Sequence, residues 1–303
     1  MILLGPDSCT DPYRNLAFEE AMLSVPVTDT LLRLWRNSPS VIVGRHQNAH
    51  AEVDAEWMRS HNIPLVRRLS GGGAVFHDLG NINFSFVGER LGKEDTQEVF
   101  RRFTAPMLKA LASMGIKASL SGRNDLLLPD GRKFSGNAMT FRGTRVLMHG
   151  TLLFSSALEH LAACLKPRPE KFEGKAVKSV RSRVALLGEL LPSMNADSFL
   201  DSLCAHFRAQ GAEDAGADLT ERINAETEVL LKEKYSLESW NWGESPRFTV
   251  RQTVRRPDGL WEYYLVVEKG IITQAAIMGD MLVGEPEKVA AELVGKPYSS
   301  ISI

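Results

Sequence analysis

No stretch of about 18 consecutive apolar residues occurs in this 303-residue chain, so no membrane-spanning helix is expected. Cysteine is scarce. Cys9, Cys164 and Cys204 are scattered, odd in number and free of any CxxC pairing, which excludes a disulfide framework and a cysteine zinc site. That usage fits a reducing compartment, and the expected location is the cytoplasm. Excess charge is missing as well. With 36 Lys and Arg against 37 Asp and Glu the net charge is −1, so no global field draws the chain to nucleic acid or to anionic membranes. Basic residues interleaved with aromatics on one face are also absent, and neither nucleic acid nor a membrane is an expected partner. The opening Met1-Ile2-Leu3-Leu4-Gly5-Pro6-Asp7 has no basic start and no long apolar core, unlike a secretory leader. No internal repeat or low-complexity tract is visible. His46 and His50 stand four apart without an HExxH frame, so they suggest no metal site.

What is present is ordinary globular composition, 44% apolar and 24% charged. A chain this long can bury roughly three-quarters of the surface exposed when unfolded, as one large domain or one large and one small. Residues 12–25 carry a helical pattern with Leu16, Phe18, Ala21 and Met22 on the apolar side and Glu19 and Glu20 facing solvent. Strands are predicted near 31–36, 41–43, 64–69, 83–87, 116–120, 124–128, 132–139 and 144–154, and helices near 54–61, 97–114 and 157–165. Helices then dominate to about 237. Trp240-Asn241-Trp242-Gly243 punctuates the chain, and both tryptophans are expected to anchor packing between two domains. Three strand-like runs near 247–255, 260–268 and 271–278 and a helix near 286–294 follow. Strands and helices mix without regular βαβ alternation. The expected class is therefore α+β, with a mixed, mostly antiparallel sheet and flanking helices. The expected division is a catalytic domain over 1–240 and a small α+β accessory domain over 247–303.

The most informative segment is Arg67-Arg68-Leu69-Ser70-Gly71-Gly72-Gly73-Ala74-Val75-Phe76-His77-Asp78. Glycine lets a backbone turn tightly and approach a ligand closely. Arginines beside such a turn can hold carboxylate or phosphate oxygens. The spacing is neither a P-loop nor the dinucleotide fingerprint G-x-G-x-x-G. A mobile surface turn is the plain alternative, but the abrupt change to Ala74-Val75-Phe76 favours an ordered turn that enters a strand.

Three further segments carry polar chemistry. In Gly122-Arg123-Asn124-Asp125 and Gly131-Arg132-Lys133-Phe134-Ser135-Gly136-Asn137-Ala138, Lys133 offers a point charge and Asp125 hard oxygens for a divalent cation. Each also reads as a solvated turn or strand residue when taken alone. His149, before Gly150, either orients an anionic ligand group or satisfies the core. Lys166 to Arg183 holds seven basic residues against two acidic ones, a local +5 that leaves −6 for the rest of the chain. It is a solvated charge run or a basic lid over an anionic ligand.

Taken together, these segments resemble the lipoate–protein ligase family of the biotin/lipoate ligase superfamily. The match runs through Asp11-Pro12 with Asn15-Leu16-Ala17-Phe18-Glu19-Glu20, Leu34-Trp35-Arg36-Asn37, Val43-Gly44-Arg45-His46-Gln47-Asn48, Arg67 to Asn83, Gly122 to Leu126, Lys133 to Ala138, His149 to Leu153 and Ser179 to Val184. It is dense over roughly 8–190 and thin beyond. The resemblance implies that lipoate and ATP give lipoyl-AMP and pyrophosphate, and that the lipoyl group then passes to a lysine of a lipoyl-domain acceptor. The implied acceptors are 2-oxoacid dehydrogenase acyltransferase subunits and the glycine cleavage H-protein, with octanoate an open alternative to lipoate. It implies Lys133 as the catalytic residue. ATP and lipoyl-AMP contacts fall on Arg68, Gly73, Ala74, Val75, Phe76, Lys133, Ser179, Arg181 and Arg183. Lipoate contacts fall on Arg68, Ser70, Gly71, Gly72, Gly73, Lys133 and His149, with Mg²⁺ at Asp125 and an apolar slot partly from Leu69-Ser70 and Val75-Phe76.

Two departures stand out. Ala176 replaces a glycine common in the family's loop, and the chain stops at Ile303 soon after its last helix, so an abbreviated accessory domain is expected. An octanoyltransferase needs a nucleophilic cysteine, and none lies between Cys9 and Cys164. A transferase that uses only preformed lipoyl-AMP is the nearer alternative. The glycine-arginine pattern is unlike that of biotin ligases, and a purely binding protein has no need of both Lys133 and the basic loop.

Overall fold

The computed structural model describes residues 1–6, 8–122, 124–165, 183–256, 259–279 and 286–301. The first half of the chain alternates short strands and helices. In order these are β1 (Ile2–Leu4), α1 (Pro12–Ser24), β2 (Leu31–Trp35), β3 (Ser40–Val43), α2 (Ala49–Glu52), α3 (Ala55–Ser60), β4 (Leu65–Arg67), β5 (Val75–His77) and β6 (Asn81–Glu89). Then come α4 (Thr96–Ser113), β7 (Ser119–Ser121), β8 (Asp125–Leu127), β9 (Lys133–Arg142), β10 (Arg145–Leu153) and α5 (Leu158–Cys164). Helices at Ala196–Ala209 and Ala217–Leu230 flank β11 (Glu213–Asp214). The second of these runs into a π-helical turn at Leu231–Tyr235, followed by a short helix at Glu238–Asn241.

Eight strands form one sheet in the order β11-β1-β2-β6-β10-β9-β8-β7. Only β1 pairs in parallel, with β11 and β2; the remaining pairs are antiparallel, as expected from the sequence. Alternation along the central strands sends Leu34, Phe84, Phe86 and Met148 to one face. There they pack with Phe103 and Met107 of α4 and Phe199 and Phe207 of the helix Ala196–Ala209. The other face presents Leu31, Val87 and Leu147 to Phe18 and Met22 of α1 and to Ile223. Helices α1 and α4 begin with side-chain caps that satisfy first-turn amides. Asp11 accepts from Tyr13 N at 2.8 Å with Pro12 at the first turn, and Asp95 and Glu98 form a reciprocal capping box.

The expectation that Glu19 and Glu20 face water is overturned, since both are buried. The reason is coverage. Helix α1 lies under the sheet on one side and under the helix Ala217–Leu230 and its π-helical turn on the other, so every residue from Asn15 to Leu23 is enclosed. A buried carboxylate needs partners. Glu20 receives Lys234 Nζ and Arg142 at 2.6 Å each and the Tyr235 hydroxyl at 2.9 Å.

A second, three-stranded sheet of order β4-β3-β5 carries the glycine segment between β4 and β5. A third, antiparallel sheet of β12 (Phe248–Arg256), β13 (Gly259–Glu268) and β14 (Ile271–Gly279) packs against the helix Pro286–Leu293. It meets the rest of the chain through an aromatic cluster in which His50 lies 4.8 Å from Trp242, 5.3 Å from Phe248 and 4.9 Å from Tyr298, centroid to centroid. Arg59 also donates to the Ser299 carbonyl at 2.6 Å. Trp242 thus sits in the cluster that joins the third sheet to the rest of the chain. Trp240 packs instead beside Tyr235, with Lys234 Nζ 3.9 Å and the Arg45 guanidinium 4.6 Å from its ring centre.

Candidate active site

The glycine loop is supported from behind. Gly44 must lack a side chain because a Cβ there would lie 2.2 Å from the Gly72 carbonyl oxygen. Gln47 Oε1 accepts from Gly44 N at 2.7 Å, and Arg45 N donates to the Ser70 carbonyl at 2.8 Å. Gly72 itself has φ +96°, a left-handed conformation that favours glycine.

The two arginines do not reach out for a ligand anion in the way expected from the sequence. Arg67 is fully buried, and its guanidinium donates to the carbonyls of Gly44, Arg45, Gln47, Trp240 and Asn241. Arg68 is nearly as buried. It holds the loop from within, donating to the carbonyls of Gly71 at 2.7 Å, Gly73 at 2.8 Å and Ile42 at 3.2 Å. Burial lowers both guanidinium pKa values to about 10, which still leaves them charged at neutral pH. Arg68 nevertheless lines the cavity described next, so its charge faces any ligand there.

That cavity, of about 200 Å³, is bounded by Gly72–Val75 and Arg68, by Leu16 and Glu19 of α1, by Trp35, Ile42, His77 and Asn83, and by Asn124, Lys133, Gly136–Ala138 and His149–Thr151. Strand register explains its floor. Trp35 lies opposite Asn83, and Asn83 opposite Thr151, whose hydroxyl accepts from Gly136 N at 3.3 Å. The neighbouring row is Arg33, Ser85, His149 and Ala138.

Lys133 begins β9. Its Nζ lies 2.8 Å from Asp125 Oδ1 and 3.1 Å from where a Gly136 Cβ would stand, so Gly136 leaves room for the ammonium to fold back over its own strand. Asn124 and Asn137 clamp the preceding turn to β9: Asn137 Nδ2 donates to Asn124 O at 2.8 Å, and Asn124 Nδ2 donates to Asn137 O at 2.5 Å. This pins Asp125 beside the lysine and makes it the lysine's partner rather than a free metal ligand. Among the described residues no cluster of three or more His, Cys, Asp and Glu could hold a metal ion.

His149 is neither a lone core residue nor a bare ligand contact. Its Nδ1 lies 2.9 Å from Glu19 Oε1, and its Nε2 lies 2.6 Å from Ser70 Oγ, which in turn accepts from Arg68 Nε at 3.1 Å. Ser85 donates to the same Glu19 oxygen at 2.6 Å. Glu19 therefore orients His149, and His149 fixes Ser70 at the root of the glycine loop. Sequence reasoning missed Glu19 as a site residue because its pattern matched a surface glutamate.

Other expected contacts divide. Gly72, Gly73, Ala74, Val75, Lys133 and His149 line the cavity, whereas Ser70, Gly71 and Phe76 do not. Ser70 is buried beneath the loop, and the Phe76 ring packs with Val41, Val43 and Met58. The apolar slot therefore comes from Leu16, Trp35, Ile42 and Val75 rather than from Leu69 and Phe76. Ser179 and Arg181 lie outside the described residues, as does Ala176. Arg183 is described, and its carbonyl accepts from Lys133 N at 2.9 Å, so the basic segment ends beside the lysine.

Residues 11–208 match the lipoyl protein ligase A/B catalytic domain, and residues 245–303 match the bacterial lipoate protein ligase C-terminus. The chain belongs to the lipoate–protein ligase family. It is 39% identical to the lipoate-protein ligase LplJ of Bacillus subtilis (strain 168), over 98% of this chain and 91% of that protein. A bi-partite lipoate protein ligase of Thermoplasma acidophilum, studied with its E2 lipoyl domain, superposes with a TM-score of 0.71 at 33% identity over 80% of this chain and 96% of that one. A lipoate-protein ligase A bound with ATP gives 0.67 at 29% identity over 80% of this chain and 98% of the other.

Proposed function

We propose that this chain is a lipoate–protein ligase that activates lipoate with ATP and transfers the lipoyl group to a lysine of a lipoyl-domain acceptor. One observation carries the reading: Lys133, backed by Asp125, shares a single cavity with the glycine loop and an apolar slot. A carboxylate is a poor acyl donor. When its oxygen attacks the α-phosphorus of ATP, an O–P bond forms and pyrophosphate departs with the electron pair of the broken bond. The Lys133 ammonium can offset negative charge on the acyl and phosphate oxygens during that step. Leu16, Trp35, Ile42 and Val75 suit the apolar acyl chain. The acceptor amine then attacks the acyl carbon and AMP leaves.

Magnesium fits as a companion of the nucleotide rather than as a protein-held ion. It takes one or two carboxylates plus phosphates, and the Asp125 carboxylate is already engaged by Lys133. No step is assigned to the metal.

The reading extends to residues 1–240 as the catalytic domain and 247–303 as the accessory domain. It further extends to the glycine cleavage H-protein as a second acceptor, to octanoate as an alternative acyl substrate and to a cytoplasmic location. A cysteine-relay transferase is not favoured. No cysteine lines the cavity, and burial pushes the Cys164 and Cys204 thiols up to about 12 and about 11.

The decisive experiment measures lipoate-dependent pyrophosphate release from ATP, then label transfer to an apo lipoyl domain. Good transfer from supplied lipoyl-AMP without pyrophosphate release would reject the activation step.

A further inference from the structure

Transfer to an acceptor lysine poses a charge problem that the cavity wall does not solve. That lysine arrives as a cation, since its ordinary pKa is about 10.4. Its nitrogen has to reach an acyl carbon beside the Lys133 ammonium. Among the described residues, the other Lys, Arg, Asp and Glu side chains lining the cavity are Arg68 and Glu19. Arg68 repels a second cation. Glu19 is 1% exposed and already engaged by His149 and Ser85. The wall therefore offers an incoming ammonium no accessible carboxylate.

Asp125 stands just outside that wall. Its chain neighbour Asn124 lines the cavity, whereas Asp125 does not. The Asp125 side chain is 38% exposed, so it is open to an approaching protein. Its position is nonetheless fixed. Asp125 lies opposite Gly136 in the β8–β9 register, and Gly136 is the residue over which the Lys133 ammonium folds. The paired Asn124–Asn137 bonds hold the turn from the other side. A carboxylate can accept on both oxygens. Oδ1 lies 2.8 Å from Lys133 Nζ, and Oδ2 accepts no hydrogen bond from any described residue. Holding Lys133 requires one of the two oxygens. The second is exposed, anionic and one carboxylate away from the lysine that faces the acyl group.

We infer that Asp125 Oδ2 receives the ammonium of the acceptor lysine and delivers its nitrogen to the acyl carbon. The inference rests on the ligase reading and adds an acceptor-binding residue to it. With Lys133 on one oxygen and the acceptor on the other, the carboxylate separates two cations that repel each other when alone. The acceptor ammonium first gives one proton to solvent. The neutral amine then adds to the acyl carbon, the C–N bond forms and the carbonyl π pair moves to oxygen. That pair returns as the C–O bond breaks and AMP leaves with its electrons, and the nitrogen's second proton passes to solvent. The nitrogen is cationic on arrival and again as it bonds to carbon, so the same fixed oxygen is favourable at both points.

The test uses the full chain with Asp125→Asn, which keeps an oxygen for Lys133 and removes the charge. Transfer from supplied lipoyl-AMP to an apo lipoyl domain needs no ATP. Its kcat/KM for the domain should fall between about 10-fold and about 100-fold, the range for losing a hydrogen bond to a charged group. Hydroxylamine is a small nucleophile that is neutral at neutral pH and brings no cation to the site. Hydroxamate formation from the same lipoyl-AMP should change less than about threefold. Asp125→Glu restores the carboxylate and should recover most of the lost transfer. An equal loss with both nucleophiles would show that Asp125 acts only through Lys133 and overturn the inference, as would unchanged transfer to the domain or a Glu variant no better than the Asn variant. A raised Mg²⁺ requirement for pyrophosphate release, with transfer from lipoyl-AMP intact, would make Asp125 a metal ligand and overturn it too. In each of these cases the unaltered protein still activates lipoate and modifies the domain. An unaltered protein that does neither overturns the ligase reading beneath the inference.

Discussion

At the scale of single residues, the site separates groups that touch a ligand from groups that hold those groups. Lys133→Ala should abolish lipoate-dependent pyrophosphate release, and activity like that of the unaltered protein would reject its role. The glycines of the loop are not equivalent. A side chain at Gly72 meets Arg68 at 2.9 Å and a φ of +96°, whereas one at Gly73 meets nothing within 4 Å. Gly73→Val is therefore expected to weaken lipoate binding while the melting temperature stays within a few degrees, and Gly72→Val to lower both; calorimetry beside thermal melting separates them. His77 adds a pH dependence. Its ring is held neutral down to about 3 in the fold, against about 6.5 when unfolded. Between those values the unfolded chain binds the extra proton, so stability falls as the pH drops through that window, by about 1.4 kcal/mol per pH unit. His77→Phe should flatten that part of an acid-denaturation curve, and an unchanged curve would show that the ring is not buried neutral.

At the scale of elements, helix α1 shows where sequence reading stopped. The glycine segment and Lys133 were legible because their residue types announce chemistry whatever surrounds them. Glu19 and Glu20 were not, because a carboxylate on a helix looks the same in a sequence whether water or a second helix covers it. The missing information was the position of the helix Ala217–Leu230, some 200 residues away along the chain. The same applies to His77 and Asn83, which strand register brings to the cavity wall. Boundaries were easier: the strands predicted near 247–255, 260–268 and 271–278 appear at 248–256, 259–268 and 271–279. Burial by itself would raise the Glu20 pKa, but the bonds from Lys234, Tyr235 and Arg142 hold it below its ordinary value. The stability it supplies is present above the unfolded carboxyl pKa and is lost as the pH falls through the folded one. Glu20→Gln should cost about 3 kcal/mol in urea unfolding at neutral pH. A loss under about 0.5 kcal/mol would show that the cluster is dispensable.

At the scale of the whole molecule, the groups that hold the C-terminal sheet to the rest of the chain include the rings around His50, the Arg59–Ser299 bond and the Ser299 hydroxyl on Glu238. Arg59→Ala should speed amide exchange in residues 297–301 about tenfold, equivalent to about 1.4 kcal/mol, and leave β6 and β10 unaffected. Equal acceleration in all three would mean that the contact supports global stability instead. The buried guanidinium of Arg67 bears on where the chain can be divided. It gathers carbonyls from residues 44–47 and from 240–241, and the Ser245 hydroxyl at 3.2 Å. The segment 240–245 is therefore part of the glycine loop's foundation, although it reads as a junction. A split version of this protein should tolerate a break after Ser245 and fail with one at Trp240, because the earlier cut strands a cation one residue from Arg68. Co-expressing the two fragment pairs and measuring recovered pyrophosphate release would map that dividing line directly.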